Sequence, residues 1–410
     1  MLDDLLKSVE IQDLLLTSKK QASLIKGSPR HTILCYFYRQ LTQANNAYEA
    51  LPKNAIYKEE RVLTPEKKSM LKSFSSKYLP ITFMEELMNE KKYTLVHFRI
   101  RNRVFNIDFY KMNNITKKEF DLLFKSMWMW LYIISVTPYI YCVNQLELTF
   151  AFLPHKKEFT GMNANGSTPA QTFDNLHINS ALTFVCKPIN KMMIYRKEEC
   201  FKVFLHESFH CFGLDFSVHN NDHMHDELHR IFNIDGSVEL AAYESYTEFW
   251  GEIINMTFNA YYNSSDFSTF SLSFESILNI EQQFSQVQVA KILKLTNTTL
   301  LNFKNLIQKT HVFEYYILKT VLLMKTDKFF DWCLKTNPLF YKIKDNSDFM
   351  CFIRDNITDL HRLISKKKVT DIYKILYGGT KERKDKKSKK ELLQIDNLRK
   401  TMRMTIVDLI

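Results

Sequence analysis

Two hydrophobic periods alternate along the chain. Helical spacing comes first: Leu5, Val9, Leu14 and Leu15 share one stretch, and after the break at Ser28-Pro29 a second runs through Leu34, Tyr36, Phe37 and Leu41. Pro52, Pro65 and Pro80 punctuate the rest of this region, so residues 1–90 read as helices broken by turns. From Tyr93 the period drops to two. Val96, Phe98 and Ile100 alternate with polar residues, and Phe105, Ile107 and Phe109 do the same beyond a turn near Asn102, which predicts a hairpin. A helix through Phe120, Leu123, Trp128 and Leu131 comes next, then a strand through Leu146, Leu148, Phe150 and Phe152 that ends at Pro154. Residues 155–177 hold Gly161, Gly166 and Pro169 among polar residues and read as a surface loop. Short strands over Ala181–Cys186 and Met192–Tyr195, parted by Pro188, lead into an apolar segment from Cys200 to Gly213. That segment is hydrophobic nearly all round, as a buried helix should be, and Gly213 supplies its stop. Helical spacing returns over 264–377, with sets such as Val289, Ile292 and Leu293, or Tyr316, Ile317, Val321 and Leu322. Together these elements predict an α+β fold.

The buried helix carries chemistry. His206-Glu207-Ser208-Phe209-His210 places two imidazoles four residues apart, on one helical face and about one turn from each other, so both can reach one ion. Glu207 stands beside them as a base for a metal-activated water. This H-E-x-x-H pattern supplies two ligands, so a third must lie elsewhere. A metzincin arrangement has Gly at the third position after the second His, which Gly213 satisfies, and a His three further on, where this chain has Phe216. Asp215 is one residue short of the place where an Asp ligand would fall. Downstream, Glu244, Glu248 and Glu252 recur every four residues along one stripe of Ala241–Glu252, with Tyr246, Phe249, Trp250, Ile253 and Ile254 as packing surface.

These residues resemble the gluzincin zinc metallopeptidases, whose second helix carries a ligand glutamate followed four residues later by an acidic residue that orients a ligand histidine. Two registers match: Glu244 as ligand with Glu248 behind it, or Glu248 as ligand with Glu252 behind it. The first is preferred, because it is nearer to His210 and puts Gly251 where a small residue packs against the first helix. The resemblance implies Zn2+ held by His206, His210 and Glu244, with Glu207 as general base and Glu248 as the carboxylate behind a ligand histidine. It also implies a zincin-like core of a small mixed sheet plus active-site helix over 91–263, flanked by the helical region 1–90, a helical lobe 264–377 and a basic tail 378–410. In such folds one sheet edge pairs with an extended peptide or protein substrate, and Asn179-Ser180-Ala181 is the candidate edge. His219, His223 and His225, in the polar stretch to Asp226, read as a loop over the cleft or a further metal or transition-state element. Tyr243 and Tyr246 are alternative oxyanion donors.

Composition refines this picture. The chain has 410 residues, 45% of them hydrophobic, which suffices for a large core without staples. Its net charge of +11 is concentrated partly in 381–390, a lysine-rich run after Gly378-Gly379 that suits a solvated tail, an acidic partner or nucleic acid. Leu392 to Ile410 reads as a basic amphipathic helix that docks on a partner. Seven cysteines, scattered without C-x-x-C pairing, argue against a disulfide framework and a zinc finger, and point to a reducing compartment. Cys200 and Cys211 read as buried small hydrophobes. The amino-terminal residues lack a secretory pattern, so an intracellular protein of cytoplasm, nucleus or virion is expected. Residues 126–146 carry no charge, yet Pro138 interrupts them, so no membrane span is expected. Scarce Gly beside abundant Lys, Asn, Ile, Phe and Tyr fits AT-rich coding, including that of large DNA viruses, whose zincin-like proteins the segment also resembles. The other function classes consistent with the sequence are an inactive zincin-fold structural or virion-associated interaction protein, and a nucleic-acid-associated protein working through its tail.

Overall fold

A computed structural model describes residues 25–74, 78–138, 140–159, 173–346, 348–377 and 389–410. The helix expected through Leu5 to Leu15, the Gly378-Gly379 pair, residues 381–388 of the basic run and most of the 155–177 loop fall outside the described residues. The fold is α+β. One mixed sheet of six strands runs in the order β1-β2-β3-β4-β6-β5: β1 Ile56–Val62, β2 Lys92–Ile100, β3 Arg103–Tyr110, β4 Gln145–Ala151, β5 Ala181–Thr183 and β6 Ile189–Ile194. Strands β3, β4 and β6 are parallel, while β1, β2 and β5 pair antiparallel to their neighbours. Strand β1 lies in the region whose spacing reads as helical; it has no buried residue, so its hydrophobic pattern carried little signal.

Period-two alternation decides which side of the sheet each strand residue serves. Phe105, Ile107, Leu146, Leu148, Met192 and Ile194 enter the main core, whereas Tyr93, Tyr110, Met193 and Tyr195 pack in a smaller cluster with Phe83 and Leu87. Helices α1 Pro29–Glu49, α2 Pro65–Lys72 and α3 Ile81–Met88 precede β2. Helix α4, Lys117–Val136, makes the crossover between parallel strands β3 and β4, and a Thr116/Glu119 capping box fixes its start. Among the described residues no helix is long and apolar enough to cross a membrane, and the uncharged stretch is largely this core helix.

Beyond β6 the chain enters α5, Cys200–Phe212, every residue of which is buried. It ends as the sequence predicts. Gly213 adopts φ 62°, and the amides of Gly213 and Leu214 turn back to the carbonyls of His210 and Phe209. Helices α6 Asp222–Phe232, α7 Ala242–Tyr262 and α8 Phe267–Leu295 come next. Helix α7 is the central rod of the helical half, buried over nearly its whole length against α5 on one side and α8 on another. A π-helical turn, Phe313–Leu318, runs directly into α9 Lys319–Met324, and α10 Thr326–Thr336, α11 Phe349–Leu363 and α12 Lys366–Tyr377 complete the lobe.

Two further features depart from the sequence expectations. Cys142 and Cys186 form a disulfide 44 residues apart, joining the loop before β4 to the β5–β6 connection. Its sulfurs lie against Gly213, where an added Cβ would stand 2.9 Å from Cys142 Sγ. Cys186 takes a left-handed φ of 42°, so β5 stops at Thr183 and does not reach Cys186. The scattered spacing that argued against a disulfide framework conceals this single closure. The second departure is the carboxy-terminal segment. Helix α13, Lys389–Lys400, covers only its first half, and the residues after it bury themselves in the chain itself. Glu199 accepts from the amides of Met404 and Thr405, and Glu281 from those of Ile406 and Val407.

Candidate metal centre

Helices α5 and α7 cross with almost nothing between them, and Gly251 is the reason. A Cβ there would stand 3.3 Å from the backbone nitrogen of His206. This close approach brings the α7 carboxylate stripe onto the two histidines. His206 Nε2 and His210 Nε2 are 3.2 Å apart, and Glu244 Oε2 lies 3.1 Å from the first and 3.5 Å from the second. The donor atoms of His206, His210 and Glu244 all fall within 4.8 Å of one another. Nitrogens at this spacing can both meet one ion at the ~2.0–2.1 Å of a zinc–imidazole bond, and two imidazoles with one carboxylate form a usual catalytic zinc set. The residues therefore fit zinc.

Each histidine is held from behind by a different acid. Glu248 Oε2 lies 2.9 Å from His206 Nδ1, and Asp215 Oδ2 hydrogen-bonds His210 Nδ1. Both contacts fix the Nδ1–H tautomer and turn the Nε2 lone pairs toward the shared point, as ligand histidines require. The acids are themselves anchored. Lys202 Nζ donates to Glu248 Oε1 at 2.5 Å, the Thr247 hydroxyl donates to Asp215 Oδ2 at 2.9 Å, and Ser217 donates twice to Asp215 Oδ1. With Lys202 and Glu248 both 1% exposed, removing either partner would strand a buried charge at a cost of about 3–5 kcal/mol.

Electrostatics follow from this packing. Burial pulls His206 and His210 down, but Glu244 and Glu248 around the first, and Asp215 and Glu244 around the second, outweigh it, so both imidazoles are raised above their ordinary value. Burial lifts the carboxylates, and the histidines reverse that for Glu244 and Asp215, while Lys202 does most to reverse it for Glu248. Glu207 is the exception. Burial raises it, and the nearby histidines do not fully offset the rise, which leaves a carboxylate readier to hold a proton.

The structure thus brings Glu244, not Glu248, to the two histidines, and gives Glu248 the place behind His206. Asp215 sits behind His210. Glu252, the third carboxylate of the stripe, is remote from the cluster: it meets Lys319 at 2.6 Å, and burial pushes it up to about 8. Tyr246 is fully buried with its hydroxyl 3.4 Å from Asn337, and Tyr243 meets His210 only edge-on. A hydroxyl that sequence reasoning missed stands at the cluster: Tyr315, on the π-helical turn, donates to Glu244 Oε2 at 3.1 Å. His311, one turn before it, is buried with Nδ1 3.9 Å from Glu314 Oε1. No periodicity marks them, because both lie in a run of core residues. The histidine-rich stretch is helical only from Asp222, as the start of α6, and His219 lies in the turn before it; His225 and His229 pair with each other at 3.2 Å, apart from the cluster. Cys200 and Cys211 are buried, as expected.

An uncharacterised protein of Acanthamoeba polyphaga mimivirus is similar to this chain, 29% identical over an alignment of 199 residues that covers 43% of this chain and 50% of that protein. The match thus spans about half of the relative's length. No protein family model and no solved structure matches the chain.

Proposed function

We propose that the chain is a zinc-dependent metallopeptidase with a zincin-type core, encoded by a large DNA virus. The observation that carries this reading is the convergence of His206 Nε2, His210 Nε2 and Glu244 Oε2, with each imidazole backed by its own buried carboxylate. A structural site closed by four protein ligands would need no neighbouring base. Here three ligands leave a position open, and Glu207 follows directly after the first of them. The mixed sheet supports the reading as well: β5 is an edge strand, antiparallel to β6, and packs against α5. Viral origin is supported by the mimivirus relative.

Zinc, held by His206, His210 and Glu244, would supply Lewis acidity that polarises the substrate carbonyl and acidifies the attacking water. The rest is the work of the chain. Glu207, raised by burial, takes the proton of that water and returns it to the departing amine. Tyr315, which now donates to Glu244, is placed to donate to the developing oxyanion. The free side of β5, Ala181–Thr183, offers backbone groups to an extended peptide. Glu248 and Asp215 keep the two imidazoles in register throughout.

The test is Glu207→Gln in the zinc-loaded chain, assayed on a peptide library and by metal analysis. Zinc is expected to stay at one equivalent and hydrolysis to vanish. Undiminished hydrolysis in this variant would remove the proposed base, and bound zinc with no turnover by the unaltered chain would favour an interaction protein built on the same fold.

A further inference from the structure

Beside Glu207, between the edge strand and α5, lies a small cavity whose wall includes Lys157, Ser180, Lys202, Val203 and Met404, together with His206 and Glu207. Its chemistry is lopsided. Lys157 and Lys202, each only 1% exposed, both line it. Lys157 Nζ meets Glu199 Oε2 at 2.8 Å, and Lys202 Nζ meets Glu248 Oε1 at 2.5 Å and the weakly accepting Met404 Sδ at 3.5 Å. An ammonium carries three N–H donors, so these contacts do not exhaust either group. Ser180 Oγ, also buried, has no hydrogen-bond partner at all.

Both Glu248 oxygens are engaged, by Lys202 and by His206, and Glu207 is the proposed base. The buried Ser180 hydroxyl is thus left as an unmet donor, at a cost of about 1–3 kcal/mol. Burial accordingly pulls Lys157 down from the ordinary lysine value despite Glu199. A structural ion-pair layer would be expected to close on itself; this one ends on an open space beside the reacting groups.

We propose, on the basis of the peptidase reading above, that this cavity receives the side chain of the substrate residue adjoining the scissile bond and selects an acidic one, aspartate best by length. Its carboxylate would accept from Lys157, Lys202 and Ser180, while Ile178 and Val203 flank the stem. The lysines are a recognition device as well as a support for Glu248. Met404 makes the wall of this cavity partly the work of the carboxy-terminal segment.

Two measurements on the full zinc-loaded chain decide the matter. The first is turnover of a peptide series in which the residues flanking the cleaved bond are varied. Aspartate at one flanking position is expected to be preferred over leucine by at least about tenfold in kcat/KM. Lys157→Met should erase that preference, and Ser180→Ala, a smaller change that spares the ion pairs, should reduce it several-fold. Equal turnover of aspartate and leucine peptides, or an undiminished preference in folded Lys157→Met and Ser180→Ala, overturns the proposal. The second is binding of the same acetylated, amidated peptides to Glu207→Gln, read by fluorescence anisotropy. If the unaltered chain hydrolyses nothing while this variant binds the aspartate peptide at least about tenfold tighter than the leucine peptide, the cavity assignment stands and the peptidase reading falls. Equal binding of the two peptides overturns the cavity assignment whatever the turnover.

Discussion

Asp215 grips His210 from the side of the ring that faces away from Glu244. Its Oδ2 hydrogen-bonds His210 Nδ1 and also receives the hydroxyl of Thr247, so one carboxylate ties the end of α5 to α7. Since Asp215 supports a ligand and does not touch the shared point itself, Asp215→Asn should leave the fold intact and loosen the metal. Zinc affinity is expected to fall about 10–100-fold, measurable by competition with a chromophoric chelator. Unchanged affinity would mean that the contact contributes nothing to His210.

The raised imidazoles set a pH dependence opposite in sign to that of metal binding. Without metal, His206 and His210 gain stability in the protonated form, from the acids around them. That contribution is complete below their unfolded value near ~6.5 and is lost as pH rises through the raised folded values. Zinc needs both imidazoles neutral, so its contribution runs the other way. The difference in melting temperature between zinc-loaded and zinc-free protein should therefore grow from pH 6 to pH 8. A constant difference would contradict competition between protons and metal at these two residues.

Tyr315→Phe removes one hydroxyl from the edge of the cluster. If that hydroxyl stabilises the oxyanion, kcat should drop roughly 10²–10³-fold with zinc content unchanged. A rise in KM with kcat intact would assign Tyr315 to substrate binding instead.

Gly251 tests the packing that creates the centre. A Cβ 3.3 Å from the His206 backbone must separate α5 and α7 by a few tenths of an ångström. Gly251→Ala is expected to cost about 1–3 kcal/mol in denaturant unfolding, and to weaken zinc binding because Glu244 and the histidines ride on the two helices being parted.

The disulfide makes a separable prediction. A closure over 44 residues restricts the unfolded chain by about 4 kcal/mol in the chain-entropy account. Cys142→Ser and treatment with a reductant should each lower stability by a comparable amount, and the reductant should add nothing to Cys142→Ser.

Much of the centre was legible because it is local. The spacing of His206 and His210 fixes their shared face whatever surrounds them, and the four-residue stripe fixes the relation of Glu244 to Glu248. Strands β2 to β4 and β6 were legible from their alternation, to within a few residues at their ends. What escaped was long-range. Asp215 was one residue away from a ligand position by counting, and only the left-handed turn at Gly213 shows that it points back at His210. Tyr315 reaches Glu244 across 71 residues, and no pattern in its own segment separates it from the core aromatics around it. Lys157 looks like a surface residue in any composition count, and what pairs it and Lys202 is Glu199 and Glu248 arriving from other elements.

The insertion of the carboxy-terminal segment has a bearing on when the centre can exist. Glu199, one residue before α5, receives amides that lie 205 and 206 positions further along the chain. A ribosome delivers them long after the histidines have emerged, so the growing polypeptide carries both imidazoles before Met404, whose sulfur lies 3.5 Å from Lys202 Nζ, is in place. On the peptidase reading proposed above, hydrolytic competence would wait for this contact, and a half-made molecule would be kept from cutting its neighbours or itself.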